Sequence, residues 1–214
     1  MFRKDGRKYN QHRLVAISVQ EAIYFNHGLS QVSTLLTHSP TQKQRLSIIV
    51  KMEEGSLPAS ASRIRTERKE EEIGEILEKI FTPLLMETDF CYEIEHRVIF
   101  ADGSLLPLLI NSTTFALEKF RIPIRHLIFA LSCAVSKYEK DAYLIDTTDQ
   151  EERDRLPAVV LAASYTEHQE YISFVEMSNG VPISSHSKLL HTAMDALKSN
   201  STTLFQLCQQ SSSS

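Results

Sequence analysis

The residues equipped for chemistry fall in three stretches. Asp102-Gly103-Ser104 precedes an apolar run from Leu105 to Leu117. Ser104 stands where a helix N-cap is wanted, because its hydroxyl can accept from an orphan N–H of the first turn. A helix N-terminus also favours anions, but Leu105 and Leu106 cannot hold one by their side chains. Asp146, Asp149, Glu151, Glu152 and Asp154 form an acidic run, which could bind a divalent cation or act as a solvated loop with capping roles. Arg63, Arg65, Arg68 and Lys69 open a charged helix. Cations clustered on one surface are what a nucleic-acid backbone requires. The alternative is a solvated helix face on which Glu67, Glu70, Glu71 and Glu72 neutralise them at helical spacing.

Other chemistries find no support. No His-x-x-x-His pair suggests zinc, and His186 and His191, five apart, point to different sides of a helix. They read as surface or partner contacts. There is no Gly-x-x-x-x-Gly-Lys-Ser/Thr loop and no Gly-x-Gly-x-x-Gly. With no Trp and scattered aromatics, no stacking platform for bases is legible. No cofactor, no metal and no catalytic set is expected.

The elements that must position these stretches are legible from periodicity. Short apolar or alternating runs predict strands at 14–17, 22–25, 32–37, 46–52 and 91–98, with a turn at Asn26-His27-Gly28 and a loop over 53–62. Ile73, Ile76, Leu77, Ile80, Phe81 and Leu84 recur at helical spacing within a helix predicted over 63–87. The helix after Ser104 is apolar almost all round, as buried helices are, and Pro107 near its start is tolerated. Pro123 is read as its stop. Strands are predicted at 127–135 and 142–145 around a turn at 137–140, and a hairpin at 158–165 and 171–176 turns on Glu167-His168-Gln169. A last helix covers 184–210. The fold class is α+β, in mixed α/β layers. Residues 1–210 are read as one domain and 211–214 as a disordered tail.

With 214 residues, 42% of them hydrophobic, the chain suits one large globular domain. No run of 18 apolar residues is present, so no membrane contact is expected, and residues 1–8 lack the apolar core of a signal peptide. Cys91, Cys133 and Cys208 read as buried thiols of a reducing compartment. A formal net charge of −4 means that any nucleic-acid contact is local.

The order of several short pieces resembles the RNase PH family over nearly the whole chain. They are Asp5-Gly6-Arg7 with Arg13, Tyr24 to Val32, the Arg/Glu-rich start at 63–72, and Ala101-Asp102-Gly103 with Ile110-Asn111. Ile122-Pro123-Ile124-Arg125 and Leu144 to Thr148 with Glu151-Glu152 complete them. Within that family the chain is similar to core subunits of the eukaryotic RNA exosome, the forty-six type first and the forty-one type second. The resemblance implies two similar ββαβα halves, as in ribosomal protein S5 domain 2. It also implies a hetero-hexameric ring of related subunits, with S1/KH cap proteins, catalytic nucleases and RNA as partners. Nucleus, nucleolus and cytoplasm are the implied locations.

Active members of the family cleave RNA from its 3′ end with phosphate as nucleophile. They hold phosphate by a polar residue followed by Arg after the Asp-Gly turn, where this chain has Leu105 and Leu106. Of two acids six residues apart, Glu152 matches the first and Ala158 replaces the second. The expectation is a non-catalytic ring subunit with Arg63, Arg65, Arg68 and Lys69 toward RNA in a central channel. The alternative is an active phosphorolytic 3′-to-5′ exoribonuclease.

Overall fold

The computed structural model describes all residues except 1–2, 41–45, 57–62, 88, 138, 140–141, 166–169, 182 and 213–214. The first half holds strands β1 (Val15–Val19), β2 (Ile23–His27), β3 (Ser30–Ser39), β4 (Leu46–Met52) and β5 (Cys91–Phe100), with helix α1 (Arg63–Phe81) between β4 and β5. The second half holds β6 (Phe129–Val135), β7 (Tyr143–Ile145), β8 (Ala158–Tyr165), β9 (Glu170–Ser178), the short helix α3 (Asp149–Arg153) and the long helix α4 (Ile183–Ser212). Helix α2 (Leu105–Lys119) joins the halves.

The strands form a five-stranded sheet, β1-β2-β3-β5-β4, and a four-stranded sheet, β7-β6-β8-β9. All pairings are antiparallel except β4 with β5, which α1 connects as a parallel crossover. The second half is antiparallel throughout. Its order is therefore strand-strand-helix-strand-strand-helix, one strand more than the ββαβα pattern expected of each half.

Helix α2 is the keystone because both sheets pack on it. Leu108, Leu109, Ile110, Phe115 and Leu117 are fully buried in one core with residues from every layer. Its polar residues are buried too, and each finds partners, as low-dielectric surroundings demand. Asn111 binds the second sheet through both amide atoms, Nδ2 to Ala130 O at 2.9 Å and Ala130 N to Oδ1 at 2.7 Å. Thr114 donates to Ile128 O. On the other side, Ser112 and Thr113 meet Thr34 of β3 and His96 of β5.

Several expected boundaries move. Helix α1 ends at Phe81, not 87, because Pro83 turns the chain into a single 3-10 turn, Thr82–Leu84. Helix α2 ends before Pro123 can stop it. Arg121 takes a left-handed φ of 54°, and Ile122 N returns to Leu117 O, which closes the last turn. Helix α4 runs through Ser212, two residues into the stretch read as a tail. Strands β6 and β7 start later than read, at Phe129 and Tyr143, and β9 is longer, Glu170–Ser178. The hairpin tip at 167–169, residues 57–62 of the loop read over 53–62, and residues 138 and 140 of the turn at 137–140 lie outside the described residues.

Candidate functional site

The site lies at the N-terminus of α2. Gly103 has a φ of 76°, and a Cβ there would meet Thr148 C, Asp149 N and Thr147 O at 2.5–2.6 Å. Only glycine fits that approach. Ser104 follows with a φ of 51° and does not act as the expected cap. Its hydroxyl points away from the helix and donates to Thr147 O at 2.9 Å, with Ser132 Oγ at 2.5 Å. Left-handed backbone at Ser104 turns the side chain off the first-turn N–H groups, so the N-cap reading fails.

Glu152 comes instead to the residue just before the first turn. Its Oε1 accepts the Ser104 N–H at 2.6 Å and the Thr147 hydroxyl at 3.2 Å. Burial raises the Glu152 pKa, and the Ser104 N–H, Thr147 hydroxyl and Lys69 charge only partly offset it. A cavity of about 210 Å³ opens beside it, walled in part by Ser132, Thr147, Glu152, Ala158 and Asn179. Ala158, where the family's second acid was expected, adds no charge to it.

The acidic run does not converge on a cation. Thr148 and Glu151 form a capping box at α3, and Arg3 holds the Glu151 carboxylate. Asp149 pairs with Arg153 and Asp154 with Lys137. Asp146 is wholly buried. Among the described residues no three His, Cys, Asp or Glu side chains are grouped as a metal would need.

Helix α1 sorts its charges by face. Glu70 and Glu78 turn to β4, where they accept the outward N–H groups of Met52 and Ile48 at 2.5 and 2.8 Å. They therefore cap a sheet edge rather than neutralise arginines. Arg63 pairs with Glu67. Arg65, Arg68 and Lys69 are exposed, with no ion pair among the described residues. Lys69 is near enough to Glu152 for its charge to lower that group's pKa, so α1 and the α2 N-terminus share one surface.

A second cluster escaped the sequence reading. Asp146, with φ 53°, receives Arg13 N on Oδ2 at 3.1 Å, and His27 Nε2 and His12 Nδ1 stand 3.3 and 3.4 Å from the same oxygen. Burial works to raise its pKa, but the two histidines outweigh this and hold it below the usual carboxylate range. Arg3 and Arg7 donate to the Asp146 carbonyl, and Arg13 to the carbonyls of Asp102 and Thr147. Arg3, with Arg7 and Arg13 of the sequence motifs, thus clasps the amino-terminal segment to the loop that leads into α3 and Glu152. The motif residues were visible in sequence, but their targets are main-chain carbonyls over 80 residues away.

Residues 22–123 match the model of the 3′ exoribonuclease family, domain 1 (RNase PH). A candidate exosome complex component RRP41 of Caenorhabditis briggsae is 27% identical over 96% of this chain and 89% of its own length. Residues 22–123 carry an RNase PH domain. A candidate exosome complex component RRP41 of Caenorhabditis elegans is 32% identical over 68% of this chain and 58% of its own. In shape, rice (Oryza sativa) Rrp46 superposes with a TM-score of 0.81 at 19% identity, covering 97% of this chain and 100% of that one. A chain of the Archaeoglobus fulgidus exosome with RNA bound to the active site gives 0.70 at 15% identity, over 94% and 92%. The RNase PH fold is therefore shared across the whole chain.

Proposed function

We propose that this chain is a non-catalytic ring subunit of an RNA exosome, which supports 3′-to-5′ RNA degradation and processing by forming part of the RNA-threading channel. The observation that carries the reading is the α2 N-terminus. Its first side chains are Leu105 and Leu106, and its leading N–H is held by the chain's own Glu152. A phosphate nucleophile needs cations and free N–H donors. Here a carboxylate stands against the donor, and negative charge repels the anion.

The exposed Arg65, Arg68 and Lys69, beside Arg63, are the residues we assign to the RNA backbone. Such contacts carry no base information, so no sequence preference is expected. Related ring subunits, S1/KH cap proteins and the catalytic nucleases are the partners, in nucleus, nucleolus and cytoplasm. The Gly103–Leu106 and Asp146–Glu151 stretches favour the forty-six type of subunit, and the RRP41 relatives represent the other. An active phosphorolytic enzyme is the second reading, favoured by Glu152 lying beside the Lys69 charge.

The test is the native mass and composition of the complex that the chain pulls from its own cells. A hetero-oligomer with several RNase PH-type chains and RNA-binding caps is the expected result. A homo-oligomer alone would overturn the ring assignment.

A further inference from the structure

The cavity beside Glu152 has a floor of small side chains on one sheet face. Ser132 and Ala134 of β6 stand opposite Val160 and Ala158 of β8, and Ser178 of β9 pairs with Ala158. Alanine at 158, in place of an acid, makes that floor apolar. The volume of about 210 Å³ falls below the roughly 300–1,000 Å³ of drug-sized ligand sites, so the cavity suits a slender ligand.

The polar groups around it offer acceptors rather than donors. Glu152 takes the Ser104 N–H, Ser132 Oγ the Thr147 N–H, Thr148 O the Glu152 N–H, and Leu156 O the Asn179 Nδ2. Glu152 uses only its Oε1, and Oε2 has no partner among the described residues. Asn179 Oδ1 and the Ser178 hydroxyl likewise have none.

The charge around it has one sign. No Lys, Arg or His lines the cavity. Glu151 is neutralised by Arg3, and Lys69 acts on Glu152 from outside the lining. The group left to be matched is the Glu152 carboxylate. An ammonium brings three N–H donors, no acceptor and the opposite charge.

We propose that this cavity binds an alkylammonium group, with its nitrogen on Glu152 and its aliphatic stem against Ala134, Ala158 and Val160. The group is the end of a free polyamine or a lysine side chain of another protein chain. This rests on the non-catalytic reading above, which leaves Glu152 free of phosphate chemistry.

Isothermal titration of the full chain with putrescine, n-butylamine and inorganic phosphate tests the proposal. Both amines should bind, and phosphate should not. Glu152→Gln keeps an acceptor for the Ser104 N–H but loses the charge, and should weaken both amines by about tenfold or more. Ala158→Leu fills the floor and should abolish amine binding with the carboxylate intact. Thermal melting checks that both variants fold, and if Ala158→Leu does not, Glu152→Gln decides alone. Two results assign the source. Polyamine released by acid from the complex purified from cells marks a free ligand, whereas a carbodiimide cross-link from Glu152 to a lysine of another chain marks a side chain. Amines that do not bind, or that bind both variants as tightly as wild type, overturn the proposal and leave the non-catalytic reading standing. Phosphate bound in place of the amines overturns both.

Discussion

The Glu152 carboxylate lies 2.6 Å from the backbone nitrogen of Ser104 and closes the N-terminus of α2 from within the chain. Residue types alone distinguish two roles for such an acid, a proton carrier or a cap. The geometry gives Glu152 the second: from α3 it holds the Ser104 N–H, just before the first turn of α2, together with the Thr147 hydroxyl, beside a loop clasped by Arg3, Arg7 and Arg13. Its replacement by Ala leaves a buried N–H and hydroxyl short of an acceptor. A loss of about 1–3 kcal/mol in denaturant unfolding is expected, while RNA degradation by an assembled complex should not change.

Gly103 gives a sharper test of the same corner. Gly103→Ala drives a methyl into the Thr147–Asp149 backbone and should cost several kcal/mol or prevent folding. Gly180→Ala is the control: its φ is also positive, at 62°, but nothing lies within 4 Å, so a loss of about 1 kcal/mol is expected. Thermal melting of the two variants separates backbone strain from collision.

Acid should destabilise the protein through His96. Thr113 Oγ1 donates to Leu109 O, so it accepts from His96 Nε2–H, and His96 Nδ1 accepts from Thr34. Ser112 then donates to Thr34, which completes a directed chain. The ring is fixed neutral, and burial lowers its pKa to about 3. The unfolded chain binds a proton below about pH 6.5 that the folded chain refuses. Stability from this group is therefore full above that pH and lost as pH falls toward 3, at up to about 1.4 kcal/mol per pH unit. Unfolding at pH 7, 5.5 and 4.5 reads the slope, and His96→Gln should flatten it at some cost at pH 7.

Reversal of charge on α1 should weaken RNA passage without loss of assembly. Arg65→Glu, Arg68→Glu and Lys69→Glu together remove three exposed cations. If all three meet phosphates, the slope of log affinity against log salt should fall by about 2 for single-stranded RNA. An unchanged slope in the assembled complex would assign the cations to a solvated face.

Much of this fold is written in local pattern. β4 and β8 match their predicted spans, and the all-round apolar character of α2 announces its burial. Thr148-Asp149-Gln150-Glu151 is a capping-box signature that could have revealed α3 within the acidic run. What is not legible joins distant residues through main-chain atoms, which leave no period in the sequence. The Arg3, Arg7 and Arg13 contacts to residues 102 and 145–147 are of this kind, as is Glu152 on Ser104 N. The failure of Ser104 as a cap follows from two successive positive φ angles, at Gly103 and Ser104, which tertiary contact imposes.

The most direct measurement is phosphate-dependent release of nucleoside diphosphates from the 3′ end of single-stranded RNA by the purified chain. A non-catalytic subunit releases none above buffer, at any phosphate concentration. Release that depends on phosphate and disappears in Glu152→Gln would contradict the reading and make this corner of α2 an active site.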